Sequence, residues 1–316
     1  MSSKRRNPRA EKVIRCAIEA LEERRLMSLT ITTVDGITST AGAPATVNLY
    51  TGQTLHVDAV SYTGALSDVP SPQKAKYRWD FGDTTSGSTY DQLPGFNAGH
   101  VYDTAGNYTC TVTVTQPSGV SAVTLNVAVT SNPNLQAFST TTNQGTLYIA
   151  ANGSASNLNN CTPTTPIDYN TALNELNTYG VNLQFLFHRG DTINTPYGFQ
   201  LTRSSGGLQY GATNVAFGAY GLSTSPLPVL NNANGFFLSG VPSTEGGSLH
   251  SAASQILIQD ITFDGPANNT GAVLAANWQI DETMRRCQLA HVGWGLSDGG
   301  LDTHGTLIED NTTIGP

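Results

Sequence analysis

Residues 77–114 read YRWDFGDTTSGSTYDQLPGFNAGHVYDTAGNYTCTVTV, and this stretch decides the fold of the first half of the chain. It closes in strict alternation: Tyr108, Cys110, Val112 and Val114 point one way, Thr109, Thr111 and Thr113 the other. That period of two is the signature of a β-strand with one buried and one wet face. At its start, Tyr77 and Trp79 lead into Asp80-Phe81-Gly82-Asp83, an aromatic strand running into a turn. Gly82 permits an unusual backbone there, and the two carboxylates can accept local N–H bonds.

Working outward, strand patterns recur at Leu55, Val57 and Ala59 and again at Val123, Leu125, Val127 and Val129, with an edge strand expected over 29–34. Together they close a sandwich. Trp79-Asp80-Phe81-Gly82-Asp83, Gly99-His100-Val101-Tyr102 and Ala105-Gly106-Asn107-Tyr108-Thr109 resemble the PKD domain, a small immunoglobulin-like sandwich, with Thr84 departing from the Gly usual after the second Asp. The resemblance implies a non-catalytic module over roughly residues 40–130. Asp80 and Asp83 could hold calcium, as some relatives do, or simply hold the turn through backbone bonds.

The 316 residues suffice for about two domains. Only 12% are charged, and the net charge of -8 is unevenly placed. Residues 1–28 hold eight basic against four acidic groups and the remainder seven against nineteen, or +4 and -12. Such an acidic body repels nucleic acid. Cys16, Cys110, Cys161 and Cys287 show neither C-x-x-C nor close pairing, so no zinc site is indicated, and whether Cys161 and Cys287 pair is left open.

On the N-terminal side, residues 10–27 read as one amphipathic helix, with Val13, Ile14, Ala17, Ile18 and Leu21 as its apolar stripe. It is too interrupted by charge for a membrane span or a secretory signal peptide. Glu19-Ala20-Leu21-Glu22-Glu23-Arg24-Arg25-Leu26-Met27-Ser28 resembles the LEPR-XLL sorting motif of large bacterial surface proteins, with Glu23 in place of Pro and Met27 in place of Leu. The resemblance implies an exported, extracellular or cell-surface protein of bacterial type.

On the C-terminal side, Ser131-Asn132-Pro133-Asn134 interrupts the alternation and marks a linker over 131–143. Asp168 then caps a helix with Ala172, Leu173 and Leu176 as its apolar positions. Short strands follow at 183–187, 214–217, 256–263, 284–289 and 307–314. The last three superpose: Asp260-Ile261-Thr262-Phe263, Arg286-Cys287-Gln288-Leu289 and Asp310-Asn311-Thr312-Thr313 stand 26 and then 24 positions apart. A strand-only period near 25 suits one coil of a stacked repeat. Phe187-His188-Arg189-Gly190-Asp191-Thr192, Phe217-Gly218-Ala219-Tyr220-Gly221 with Pro228-Val229-Leu230, and Leu307-Ile308-Glu309-Asp310-Asn311-Thr312 resemble the right-handed parallel β-helix proteins of the pectate-lyase-like superfamily. That resemblance implies a cap helix at 168–178 and a scaffold that hosts lyases, hydrolases, epimerases and plain adhesins alike.

The expected architecture is therefore all-β: a sorting-type helix at 1–28, a PKD-like sandwich at 29–130, a linker at 131–143 and a parallel β-helix at 144–316. The final strand pattern at 307–314 reads as a fresh coil without a cap, so the expectation includes further chain beyond Pro316 or self-association through that end.

The densest polar cluster is Asp298, Asp302 and His304, beside His291 and Trp294 and one coil after Arg285 and Arg286. Uronate chemistry needs a neutralised carboxylate, a base and an acid. Asp298 and Asp302 could hold calcium with His304 or Arg286 as base, or act as paired hydrolase carboxylates, with Trp294, Arg285 and His291 binding substrate. The Asp-Gly-rich segment is equally a turn between coils. All four lysines lie at or before Lys76, which removes lysine as a base in the second half and leaves Arg189, Arg203, Arg285 and Arg286 as its fixed cations. Two functions stay open: a surface protein whose β-helix binds and degrades polysaccharide, and a non-catalytic adhesive or structural surface protein. Exposed aromatics and paired acids along one face favour the first. A face of Thr, Ser and Asn alone favours the second.

Overall fold

The computed structural model describes residues 28–33, 35–62, 75–85, 88–116, 119–178, 180–196, 198–200, 202–205, 208–232, 238–239, 253–265, 272–276, 279–292, 294–298 and 304–314. Apart from Ser28, the helix and sorting motif expected within 1–28 fall outside these residues, as does Asp302. The described residues form two compact units, one within 1–47, 57–98 and 107–128, the other from 48–56, 99–106 and 129–316.

Among the described residues, nine strands precede residue 131: β1 (Ser28–Thr33), β2 (Thr38–Thr40), β3 (Thr46–Tyr50), β4 (Thr54–Tyr62), β5 (Lys76–Asp80), β6 (Gln92–Pro94), β7 (Asn97–Val101), β8 (Gly106–Gln116) and β9 (Gly119–Thr130), with a helical turn α1 (Ser88–Asp91). They make one sheet in the order β2-β1-β4-β7 and a second in the order β3-β9-β8-β5-β6. Between them the alternating residues Cys110, Val112 and Val114 are buried, as are Ile31, Trp79, Phe81, Val123, Leu125 and Val127. Trp79 stacks on Phe81 with ring centroids 6.3 Å apart, and its indole N–H donates to the Gly95 carbonyl at 2.9 Å. A buried indole needs such an acceptor. Gly82 takes a φ of 68°, and a Cβ there would stand 2.8 Å from the Thr109 carbonyl oxygen, so the turn after Phe81 closes only on glycine.

The second half alternates strands among three sheets. The first sheet contains β10 (Gly145–Ile149), β11 (Val181–His188), β16 (Thr213–Tyr220), β19 (Ala253–Gln259), β22 (Gln279–Arg285) and β25 (His304–Glu309); the second contains β12 (Thr192–Asn194), β17 (Val229–Asn231), β20 (Thr262–Asp264), β23 (Gln288–Ala290) and β26 (Thr312–Ile314). The third is built of β13 (Phe199–Gln200), β18 (Leu238–Ser239), β21 (Ala272–Ala276) and β24 (Trp294–Asp298). Every pairing between the described strands of these sheets is parallel. An antiparallel hairpin, β14 (Thr202–Ser205) with β15 (Leu208–Gly211), sits in the sequence between β13 and β16. Helix α2 (Tyr169–Thr178) starts where expected: the Asp168 carboxylate accepts from the Thr171 N–H at 3.1 Å and the Thr171 hydroxyl at 2.8 Å.

Register carries the core from strand to strand. Leu147, Phe185, Phe217, Ile258, Met284 and Ile308 are successive partners across the first sheet, and Ile193, Leu230, Phe263, Leu289 and Thr313 across the second. Phe185 and Phe217 stack at 5.3 Å, with Phe199 from the third sheet against both. The strands expected as unbroken at 256–263, 284–289 and 307–314 are each split in two. The residues at the breaks, Asp260, Arg286 and Asp310, have φ of 57°, 53° and 53°, and a left-handed residue turns the chain out of one sheet and into the next. A second left-handed set, Asn182, Asn214, Gln255, Asp281 and Gly305, stands in register inside the first sheet, one per strand. Asn214 donates to Asn182 Oδ1 at 2.7 Å and to Asn132 Oδ1 at 2.8 Å, so the amides at these bulges satisfy one another. Cys161 and Cys287 are both free, buried thiols that do not pair.

Candidate functional site

The second parallel sheet has the simplest side-chain logic. Its strands are three residues long, so the middle residue faces the core and the two flanking residues face outward. Ile193, Leu230, Phe263 and Leu289 are the buried middles. The flanking positions read Thr192 and Asn194, Val229 and Asn231, Thr262 and Asp264, Gln288 and Ala290, Thr312 and Ile314, of which Thr262 and Ala290 are buried. In register these make two columns, one of Thr, Val, Thr, Gln, Thr and one of Asn, Asn, Asp, Ala, Ile. Neighbours in a parallel sheet lie about 4.8 Å apart, so polar groups on adjacent strands stand at that spacing, interrupted at Val229, Ala290 and Ile314. Thr262 Oγ1 donates to Gln288 Oε1 at 3.2 Å within the column.

At one edge of this face stands His291, immediately after β23 and left-handed at φ 49°. Its Nδ1 lies 2.8 Å from Asp264 Oδ1, and the two side chains are 41% and 35% exposed. A carboxylate at that distance fixes the imidazole tautomer and orientation. At the other edge Arg286 places Nε and Nη2 each 2.8 Å from an oxygen of Asp260, a bidentate fork-to-carboxylate pair. The hydrogen bonds it donates to Asp260 raise the guanidinium above its ordinary value despite partial burial, and the pair is locally neutral.

The residues expected to form one cluster are distributed over three sheets. Trp294 and Asp298 open and close β24 in the third sheet, with Ala272 and Ala276 as register partners. His304 begins β25 in the first sheet opposite Ile280. Arg286 and His291 flank the second sheet. Arg285 is 3% exposed; it donates to Gln259 Oε1 at 2.9 Å and to the carboxylate of Asp103, a residue of the same compact unit, at 2.5 Å. Buried and paired in this way, it is an internal structural cation. In the WDFGD turn, Asp80 Oδ1 accepts from the Gly82 N–H at 3.0 Å, and Asp83 Oδ1 accepts from the Thr85 N–H at 3.1 Å and its hydroxyl at 2.6 Å. Both carboxylates thus hold the turn through local hydrogen bonds. Among the described residues no group of three or more His, Cys, Asp or Glu is placed to hold a metal, and no helix is long and apolar enough to cross a membrane.

Sequence reasoning missed Asp264 as the partner of His291, 27 positions away. The signal existed: a 26-residue offset puts Asp264 opposite Ala290, and therefore beside His291. It also missed His188, whose Nδ1 lies 3.1 Å from Asp191 Oδ1 while Asp191 Oδ2 accepts from the Ala151 N–H at 2.9 Å. There the signal was the i, i+3 spacing around Arg189-Gly190.

No curated protein matches the chain. Among solved structures, the solution structure of the PKD domain from human VPS10 domain-containing receptor SorCS2 is 19% identical, covering 33% of this chain and 73% of that one with a TM-score of 0.24. Residues 41–131 match the family model of the PKD domain, so the chain carries a PKD domain within a predominantly β fold that also contains parallel sheets.

Proposed function

We propose that this is an extracellular or cell-surface protein in which the PKD domain is followed by a right-handed parallel β-helix that binds glycan through the polar face of the second sheet, as an adhesive rather than a cleaving module. PKD domains occur in extracellular proteins, which supports the location. The β-helix reading is supported by the way the chain visits the first, second and third sheets in turn and pairs each strand with its counterpart from the preceding visit. One observation supports glycan binding: the outward Thr192, Asn194, Asn231, Asp264, Gln288 and Thr312, which offer hydroxyl, amide and carboxylate groups on successive strands of one face. Sugar hydroxyls are both donors and acceptors and match such groups without a net charge. The bordering Arg286 is neutralised by Asp260, so the face suits a neutral glycan better than a polyanion.

Cleavage of the bound glycan is a second reading, favoured by the His291–Asp264 pair, an oriented imidazole of the kind used in general acid–base catalysis. In that version Asp298, Asp302 and His304 supply the remaining groups, with calcium at the two carboxylates. The test is retention of the full chain on a panel of neutral polysaccharides, together with an assay for released reducing ends. The adhesive reading expects retention that survives high salt, no released products, and about tenfold weaker binding for the Asn231→Ala, Gln288→Ala double variant. Released products abolished by His291→Ala would establish cleavage instead, and failure to bind any glycan would remove both readings.

A further inference from the structure

The PKD domain has a groove of its own, about 850 Å³ in volume, along β5 and the edge strand β6. Tyr77, Leu93, Pro94 and Phe96 line it with apolar surface, and Lys76 and Arg78 stand on it as cations. Phe96 is 55% exposed. An aromatic ring left half in water beside a concave surface is not explained by the sandwich core, which is filled without it.

The charge is equally out of place. Beyond residue 28 the chain has seven basic against nineteen acidic groups, yet two of the seven lie together here. Among the described residues neither Lys76 nor Arg78 has a carboxylate partner, whereas Arg285 and Arg286 both do. The Arg78 guanidinium instead meets the neutral amide of Gln92. Lysines beside a sheet edge commonly discourage strand-to-strand aggregation, but that role is served by polar groups and not by an exposed phenylalanine. A peptide adding to the sheet as another strand would need the edge backbone, and β6 is three residues long and ends in Pro94, which has no N–H to donate. The groove is therefore read through side chains: ring faces, two cations, the Gln92 amide and the Thr115 hydroxyl.

We propose that this groove binds a segment of acidic polysaccharide, with a sugar face against Phe96 and carboxylates on Lys76 and Arg78. Asp80, next on the same side of β5, limits the anionic contact to the Lys76 end. The site lies within the PKD domain and does not depend on how the parallel sheets function.

The test is calorimetric titration of the full chain with oligogalacturonate as the acidic probe, and with a neutral cello-oligosaccharide and polyglutamate as controls. The expected result is binding of oligogalacturonate that weakens as salt rises, since exposed charge contacts are screened. The double variant Lys76→Gln, Arg78→Gln should bind it at least tenfold more weakly and lose most of the salt dependence. Phe96→Ala should weaken it several-fold. All three substituted positions are exposed, and circular dichroism of each variant checks that the fold is retained. No binding by the wild-type chain, equal binding of polyglutamate, or indifference to the double substitution would each overturn the proposal.

Discussion

The PKD sandwich and the parallel sheets are both β structure, but they solve the same problem differently. The sandwich seals its core once, around large aromatics at one strand end: Trp79 and Phe81 are fully buried. The parallel sheets seal theirs repeatedly, each strand covering its predecessor with one residue per column, as in the run Leu147, Phe185, Phe217, Ile258, Met284. A sandwich core is shared by all its strands. A stacked core is shared only by neighbours.

That difference predicts opposite reach for equally severe mutations. Trp79→Ala removes a fully buried indole and its bond to Gly95, at a cost of about 3–5 kcal/mol, and should abolish protection throughout the PKD domain at once. Phe217→Ala should cost a comparable amount, but loss of amide protection should concentrate in β11, β16 and β19 and fade by β25. Hydrogen exchange read by mass spectrometry distinguishes these outcomes. Uniform loss across the parallel sheets would mean that they behave as one cooperative body after all.

A smaller effect sharpens the comparison where α2 packs near the first parallel strands. Glu175 is buried with Oε1 lacking any hydrogen-bond partner, and burial pushes its carboxyl up to about 7. Because the folded value is raised above the unfolded one of 4.5, the native state holds a proton that the unfolded chain releases between those values. The associated stability is complete below pH 4.5 and is lost as pH rises through 7. Glu175→Gln should therefore be more stable than the wild type above pH 7, by about 1 kcal/mol after allowance for solvent screening, and the two should converge in acid. Thermal melts across that range check it. Equal melting temperatures at pH 8 would show that the carboxyl is better solvated than its burial indicates.

The two regions were also unequally legible. Trp79-Asp80-Phe81-Gly82-Asp83 and the alternation to Val114 announce the sandwich because the chemistry is local: two residues of turn carboxylate, one glycine that alone fits, and period-two burial. The superposition of Asp260, Arg286 and Asp310 was sound for a reason that the sequence did not state, since all three are left-handed corner residues. The bulge column inside the first sheet was not legible. Asn182, Asn214, Gln255, Asp281 and Gly305 share a conformation but are five positions of four residue types at intervals of 32, 41, 26 and 24. The 32-residue interval contains the β14–β15 hairpin, which stretches the period and hides the repeat. For the candidate site, His291 and Arg286 were legible as polar residues in the right strand region, while their partners Asp264 and Asp260 required the register. Arg285 and Arg286 are adjacent in sequence and opposite in fate, one buried and one exposed, because the strand β22 ends between them.

The central claim is that successive turns of the chain stack in parallel, one strand per sheet, to present the outward columns. Paired cysteines test it most directly. Asn231 and Asp264 are register partners in the second sheet, with both side chains outward. Partners in adjacent strands lie within the Cα separation of roughly 4.4–6.8 Å that a disulfide spans, while residues two strands apart do not. Of the four native thiols, Cys110, Cys161 and Cys287 are buried, with burial pushing each above its ordinary value, so they should not compete, and Cys16, outside the described residues, is replaced by Ser in both variants. Under mild oxidation the Asn231→Cys, Asp264→Cys protein should cross-link quantitatively within the monomer, and Asn231→Cys, Gln288→Cys should not. Cross-linking of the second pair but not the first would contradict the parallel register and, with it, the proposed glycan-binding face.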